Sequence, residues 1–187
     1  MDQMSIEAAG SPEENAAPRK LRELIQALAG TVNKRLSPGE VAELRRLDPR
    51  QPGSPAFWKL AALHLGDNKF WWIGGGDDRD EVERRWAAVF SFIALAGGFH
   101  QPHAPLGTAL ANAGFHELRF TRLLRARGGR LLDELSTTVR FLVAKAESFD
   151  VRELAALIAS SDHPQWAERV RRQVARGYYF SLNGKEL

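Results

Sequence analysis

Apolar residues recur at helical spacing through most of the chain, and this pattern constrains the fold more than any other feature of the sequence. Runs with spacings of three and four residues restart about every 15 to 20 residues, and no segment shows sustained strand alternation. Two clear stripes are Leu21, Leu24, Ile25 and Leu28, and Trp166, Val170, Val174 and Tyr178. The sequence therefore predicts an all-α protein of about eight to nine helices, packed as two small bundles.

Breaks in this pattern predict the domain organisation. Residues 1–17 are polar, acidic and without periodicity, so we expect a disordered lead-in. The proline-rich segment 100–105 is typical of a hinge. It separates an N-terminal helical bundle, residues 18–99, from a C-terminal helical bundle with a basic face, residues 106–182. We expect the tail, residues 183–187, to fray.

Two helix starts near the N-terminus carry recognisable signals. Pro18 is expected to begin the first helix, which Gly30 is expected to end. Ser37 and Glu40 have the spacing of a capping box, with a proline between them at the first helical position. The sequence therefore predicts that the second helix begins directly after Ser37.

The charge distribution favours an anionic partner. The chain has 26 basic and 23 acidic residues, but the first 18 residues contain four acids and no lysine or arginine. The remainder therefore carries 26 basic against 19 acidic residues, which fits binding to nucleic acid. Absence of cysteine excludes disulfides and thiolate chemistry. No apolar run is long enough to span a bilayer and no signal peptide is evident, so a cytoplasmic location is expected.

Motifs for catalysis are nearly absent. The glycines of segment 74–76 are not followed by Lys-Ser or Lys-Thr, so they form no phosphate loop. His116 and Glu117 lack the second histidine of a zinc-protease helix. Asp133 and Glu134 are adjacent and point about 100° apart on a helix, which is poor geometry for a catalytic carboxylate pair. We expect no enzyme activity and no cofactor.

Metal binding is a weaker alternative for two groups of residues. The acidic residues of segment 77–81 precede an apolar helical stripe, where they are expected to cap the helix. His100 and His103 have a spacing that metals use, but the sequence places no third ligand nearby. We therefore predict no metal site.

The most concentrated group of functional side chains lies in the stretch 106–141. Its central helix places Arg119, Arg122 and Arg125 on one side. The opposite side carries Phe120, Leu123 and Leu124. No acidic residue stands three or four positions from any of the three arginines, so none has an ion-pair partner on its own helix. The arginines form either a phosphate-binding face or a solvated basic face.

The segment LGTALANAGFHELRFTRLLRA, residues 106–126, resembles the signature of the CasB family, the small subunit of the type I-E Cascade surveillance complex of CRISPR systems. The similarity extends over most of the chain after about residue 18. Flanking matches are Leu44-Arg45-Arg46, Phe57-Trp58, Trp86, Val139-Arg140 and Tyr178-Tyr179. Two positions depart from the family pattern: Leu118 and Phe141 stand where many relatives have a basic residue. Both departures reduce the basic surface.

The resemblance implies a non-enzymatic helical subunit. Two copies would lie head to tail in the complex, against the backbone and large subunits and the CRISPR RNA, and their basic surface would stabilise the opened DNA target in antiviral defence. The hypothesis assigns contacts with backbone phosphates to Arg45, Arg46, Arg119, Arg122, Arg125 and Arg140. A weaker assignment covers Arg130, Arg169 and Arg172. For Arg169 and Arg172 the reason is Glu168, which can pair with Arg172 on the same helix.

Other functions remain open at the level of sequence. A free-standing helical regulator would use the same arginines, but it would need polar base-reading side chains such as Asn or Gln beside them. A protein-binding adaptor would respond to neither DNA nor RNA. A small helical enzyme would depend on Asp77, Asp78 and Asp80.

Overall fold

The computed structural model describes residues 12–184, with side chains described from residue 17 onward except at 67 and 68. The helices are α1 Pro12–Lys34, α2 Pro38–Arg45, α3 Pro55–His64, α4 Asp67–Phe70, α5 Arg79–Ala96, α6 Leu106–Asn112, α7 Glu117–Arg125, α8 Gly128–Ala144, α9 Val151–Ala159 and α10 Pro164–Asn183. Short 3-10 turns are Trp71–Ile73, Gly97–Phe99 and Ser160–Asp162. Apart from the single turn α4, each of these helices has seven or more residues. The described part of the chain contains no strand, so the all-α prediction is confirmed.

Helix α5 lies at the centre of the core. Its residues from Arg85 to Ala94 are all buried, and Trp86 and Phe90 are fully enclosed. The helix packs against α1 and α2, which precede it in the sequence, and against α8 and α9, which follow it. Apolar side chains from both predicted bundles therefore join one continuous cluster. The domain division at residues 100–105 stays a prediction.

The first helix is longer than its sequence signals predicted. It begins at Pro12 instead of Pro18, and it passes through Gly30 to end at Lys34. Val32 is buried and continues the apolar stripe beyond the glycine, so tertiary burial overrides the weak helix propensity of Gly30. Residues 1–11 lie outside the described part of the chain, so the disordered lead-in stays a prediction there.

The capping box before α2 is confirmed. The Ser37 backbone N–H donates to Glu40 Oε2 at 2.7 Å, and the Glu40 N–H donates to Ser37 Oγ at 3.3 Å. A hydrogen bond from Lys59, supported by those from Ser37, lowers the pKa of Glu40 to about 2. The side chains at this helix start therefore fix the direction in which α2 leaves the preceding turn.

Helices α6 and α10 pack closely against each other through two glycines. A Cβ atom added to Gly107 would overlap the Val174 carbonyl oxygen, and one added to Gly177 would press against Thr108. This approach sets Tyr178 of α10 against Phe120 of α7, with stacked rings whose centroids are 3.8 Å apart. The position of α7 therefore depends on two glycines elsewhere in the sequence.

The segment 100–105 is a loop that is tied to the start of α9. Gln101 N–H donates to the Phe149 carbonyl at 3.0 Å, and Asp150 N–H donates to the Ala104 carbonyl at 2.8 Å. Arg152 donates both to the Asp150 carboxylate and to the Pro102 carbonyl. The loop is thus held by backbone and side-chain bonds along its length.

Candidate nucleic-acid interface

Two arginine-lined grooves flank α8. Along α8, the residues Gly129, Leu132, Asp133, Ser136 and Arg140 share one face, because they are three, four or seven positions apart. Arg130 and Glu134 lie on the neighbouring face. The first face borders one groove and the second face borders the other, so α8 is the ridge between them.

Groove A lies between α8, α5 and the segment that follows α2, and its volume is about 670 Å³. Its charged lining residues are Arg46, Asp48, Arg50, Arg84, Asp133 and Arg140. Two of the predicted phosphate contacts, Arg46 and Arg140, are therefore brought together although they are far apart in sequence. Because both side chains belong to exposed residues, they are accessible from solvent.

Carboxylates weaken the positive potential of groove A. Arg50 Nη2 lies 3.5 Å from Asp133 Oδ2. The Asp48 carboxylate bonds to its own loop, where Oδ1 accepts the Arg50 backbone N–H at 2.9 Å. Arg84 pairs with Glu81 of its own helix at 3.3 Å. Two of the four guanidinium groups in groove A thus already face a carboxylate.

Groove B lies at the junction of α7 and α8, and its volume is about 570 Å³. Its lining residues are Leu118, Thr121, Arg122, Arg125, Ala126, Arg127 and Arg130. The turn between the helices depends on Gly128, whose φ of 53° is in the left-handed region that favours glycine. This turn brings Arg125 and Arg130 to one concave surface.

One acidic side chain pairs with the arginines of groove B. Arg122 Nε lies 2.7 Å from Glu134 Oε1, and the Glu134 side chain is only 14% exposed. The sequence placed no acid within reach of Arg122 on its own helix, and the structure supplies one from α8. Arg127 donates to the Leu124 and Ala126 carbonyls at 2.9 and 2.7 Å, which fixes it at the end of α7.

Arg119 and Arg45 stand apart from the lining of both grooves. Arg119 is exposed on α7, one turn before Arg122, and so extends the basic face of groove B along the helix. Arg45 donates from Nε to the Ala94 carbonyl at 2.9 Å, in the last turn of α5. This contact gives Arg45 a structural partner in addition to its predicted phosphate contact.

The two arginines of α10 that were predicted to contact phosphates lie outside both grooves. Arg169 borders a separate groove, of about 200 Å³, between α1, α9 and α10. Arg172 pairs with Glu168 at 2.8 Å, as the spacing on the helix predicted. The structure does not bring either residue into groove A or groove B.

Sequence reasoning missed three arginines that line the grooves. Arg84 has an acid three residues before it on α5, a spacing typical of an ion-paired surface residue. Arg50 lies in a proline-rich loop, and Arg127 lies in the turn before Gly128. Helical periodicity does not reveal such loop positions; proximity to a glycine turn between two basic helices was the available signal for Arg127.

Two residues from the groups considered as metal ligands make structural contacts instead. Asp78 caps α5 by accepting the Glu81 backbone N–H at 3.2 Å, as predicted. His100 Nδ1 accepts the Val151 N–H at 3.3 Å, and burial lowers the pKa of His100. Between residues 12 and 184 no group of three or more His, Cys, Asp or Glu side chains is arranged to hold a metal ion. Over the same residues, no helix is long and apolar enough to cross a membrane.

The fold and the grooves together define an all-helical protein with two concave basic surfaces, a class suited to holding anionic polymers. The family model of the CRISPR-associated protein Cse2 matches residues 40–179, which is most of the chain. The chain therefore belongs to the Cse2 family, and the resemblance seen in the sequence is confirmed.

Solved structures share the fold. A chain in the crystal structure of E. coli Cascade bound to a PAM-containing dsDNA target has a TM-score of 0.60 and 22% identity, over 85% of this chain and 96% of that chain. CasB from Thermobifida fusca has a TM-score of 0.59 and 21% identity, over 87% and 97% of the two chains. A search of curated proteins gave no significant match.

Proposed function

We propose that this chain is a non-catalytic subunit of a type I-E Cascade and stabilises the opened target, or R-loop, in CRISPR antiviral defence. The observation that carries the proposal is the pair of arginine-lined grooves on either side of α8 in a chain of the Cse2 family. The proposed ligands are the backbones of the CRISPR RNA, the target strand and the displaced strand.

The chemistry of the grooves suits backbones better than bases. Arginine can bind phosphate through two parallel hydrogen bonds, and each neutralised phosphate releases counterions. In RNA-guided systems base pairing reads the sequence, so a protein subunit can act by holding phosphates in a positive channel. The described residues that line the two grooves include no Asn or Gln, which disfavours a free-standing base-reading regulator.

The proposal includes protein partners. The chain would contact the Cascade backbone and large subunits and a second copy of itself, arranged head to tail, in the cytoplasm. A head-to-tail contact needs two different surfaces on each copy. The described surface has separate exposed apolar positions, including Trp58 and Trp71 near the N-terminal part and Phe180 on α10.

Co-expression tests the proposal directly. The full chain is produced with a CRISPR RNA and candidate type I-E backbone subunits, and the native mass of the co-purified material is determined. We expect a large ribonucleoprotein that contains about two copies of this chain. A lone monomer or dimer that ignores both the RNA and the subunits would contradict the proposal and favour a free regulator or an adaptor.

A further inference from the structure

A third concave surface, which we call groove C, lies between α1, α9 and α10 and has a volume of about 200 Å³. Part of its lining is apolar: Ala156, Trp166 and Val170 pack on the core and are only partly buried. Three arginines also line groove C, namely Arg22, Arg152 and Arg169. Apolar side chains with charged ones beside them are typical of a surface that binds another stretch of polypeptide.

The described lining of groove C is positive. Against its three arginines it has one carboxylate, that of Glu153, whose oxygens accept a backbone N–H at the start of α6 at 2.7 Å and the Gln173 side-chain N–H at 2.8 Å. Asp150, outside the lining, accepts a hydrogen bond from Arg152 at 2.7 Å. Arg22 is exposed on α1. A ligand that complements groove C therefore combines an apolar side chain with a negative group.

Residues 1–11 of the chain, which precede the described part, have this chemistry. They contain Asp2 and Glu7 and no lysine or arginine, and the apolar Ile6 stands next to Glu7. The Cse2 family model begins to match at residue 40, so this segment lies outside what the family match describes. The segment is thus a candidate occupant of groove C that belongs to the chain itself.

The segment is also long enough to reach groove C. Glu7 precedes the start of α1 by five residues, which span at most about 17 Å when extended. Arg22 follows that start by ten residues, or about 15 Å along a helix. Gly10 and Ser11 before Pro12 are typical of a turn, so the chain can reverse there and run back along α1.

We propose that residues 1–11 dock in groove C, with Ile6 on the apolar lining and Glu7 beside Arg22. Docking would order a segment that its composition predicts to be disordered, so it costs conformational entropy. Covalent attachment offsets part of this cost, because it gives the segment a high effective concentration at the groove. Docking covers the arginines of groove C and leaves those of grooves A and B open. The contact lies within the chain and does not depend on the proposed function.

Quenching of a fluorescent label by tryptophan tests this contact. The chain has no cysteine, so Ser5→Cys provides a single site for a bimane label in the full chain. Trp166 lines groove C, and tryptophan quenches bimane only at close range. We expect Trp166→Phe to abolish the quenching. Trp58→Phe is the matched control and should preserve it, because Trp58 is a surface residue of α3 outside groove C.

Substitutions at residues 6 and 7 lie outside the described part of the chain and so disturb none of its described contacts. The amplitudes of the quenched and unquenched lifetimes give the ratio of docked to undocked segment. Ile6→Ser should lower this ratio roughly tenfold, and Glu7→Gln about threefold. Arg22→Gln should match Glu7→Gln, and the two combined should lower the ratio no further. Arg19→Gln is the control, because Arg19 is exposed on α1 outside groove C.

Each outcome decides the proposal. Quenching that is independent of protein concentration and is relieved by Ile6→Ser supports it. Unchanged emission on Trp166→Phe, or an unaltered lifetime ratio in Ile6→Ser, overturns it. Quenching that grows with protein concentration assigns groove C to the segment of a second copy and also overturns it. Since these measurements need no nucleic acid, the proposed function stands or falls separately.

Discussion

Grooves A and B carry the same number of arginines but differ in the acids around them. In groove A, Arg50 faces Asp133 and Arg84 faces Glu81. In groove B, among the residues that the structure describes, only Arg122 has a paired carboxylate, from Glu134. The potential of a groove depends on its summed charge, so groove B is expected to attract a backbone more strongly. The number of arginines alone therefore does not predict which of two basic surfaces attracts a backbone more strongly.

The grooves also differ in what supports them. Groove A rests on α5, which is enclosed by helices on several sides. Groove B rests on α7, whose Phe120 stacks on Tyr178 of α10. The place of α10 in turn depends on its close approach to Gly107 of α6. Groove B is therefore the more sensitive of the two to a change in one distant residue.

The largest expected effect comes from Gly107→Ala. The added methyl group would overlap the Val174 carbonyl oxygen and push α6 away from α10, at a cost of about 3 kcal/mol in the free energy of unfolding. The measurement is urea denaturation followed by circular dichroism. Because the displaced α10 carries Tyr178 away from Phe120, binding through groove B should also weaken.

The control for this substitution is Gly129→Ala, on the side of α8 that borders groove A. No atom lies within 4 Å of a Cβ added at Gly129, and its φ is not in the left-handed region. The free energy of unfolding should change by less than about 0.5 kcal/mol. Equal losses of stability in the two variants would contradict our claim that groove B depends on the close contact between α6 and α10.

Alanine substitutions of the arginines in each groove compare how strongly the two grooves bind a strand. Substitution of Arg119, Arg122 and Arg125 by alanine should weaken binding of a single strand by roughly 30-fold, or about 2 kcal/mol. If about five arginines contact one strand, the slope of log K against log salt is about −3.5 in the unmodified chain, and it should shrink by about 2 in this variant. Anisotropy titrations at several salt concentrations measure both quantities.

The corresponding variant of groove A substitutes Arg46 and Arg140 by alanine. Its slope should change by about 1.4 at most, since each lost phosphate contact contributes about 0.7. Both variants should retain their helical circular dichroism, because all five side chains belong to exposed residues. An unchanged slope in a folded groove B variant would remove Arg119, Arg122 and Arg125 from the binding role.

Asp162→Asn should change stability without changing either groove. The Asp162 carboxylate accepts two hydrogen bonds from Arg85, at 2.8 and 3.2 Å, and one from the Gly75 N–H. Arg85 is nearly buried, so loss of the partner charge should cost about 1 kcal/mol; the 43% exposure of the Asp162 side chain and the remaining Glu81 limit the effect.

The pH dependence of this variant has a definite sign. The hydrogen bond from Arg85, chiefly, lowers the pKa of Asp162, while partial burial opposes the shift. A carboxyl group with a lowered folded pKa stabilises the fold above its unfolded pKa of about 4, and this contribution disappears as pH falls through the folded pKa. The stability difference between the unmodified chain and Asp162→Asn should therefore shrink below about pH 4. A difference that grows on acidification would contradict the assignment.

The smallest expected effect is a gain of affinity on Asp133→Asn. Loss of this carboxylate frees Arg50 and makes groove A more like groove B. We expect about threefold tighter binding of a single strand, or about 0.6 kcal/mol, measured by the same titrations. Glu23→Gln, which frees Arg19 on α1 outside the lining of both grooves, is the control and should leave the affinity unchanged.

The sequence by itself determined the helical class and most helix positions. Apolar stripes such as the one through Trp86 and Phe90 mark buried faces because a helix repeats every 3.6 residues. The capping box at Ser37 was visible because cap chemistry is local. Helical periodicity also predicted that Arg122 and Arg125 lie on an exposed helix face.

Only the tertiary structure decided how the arginines are grouped. It placed Arg46 and Arg140 in the same groove, gave Arg122 a partner in Glu134, and set Arg45 against the end of α5. It also extended α1 through Gly30, where burial of Val32 outweighs local propensity. These results depend on contacts between residues far apart in sequence, and helical periodicity describes which face a residue occupies but not which other helix that face meets.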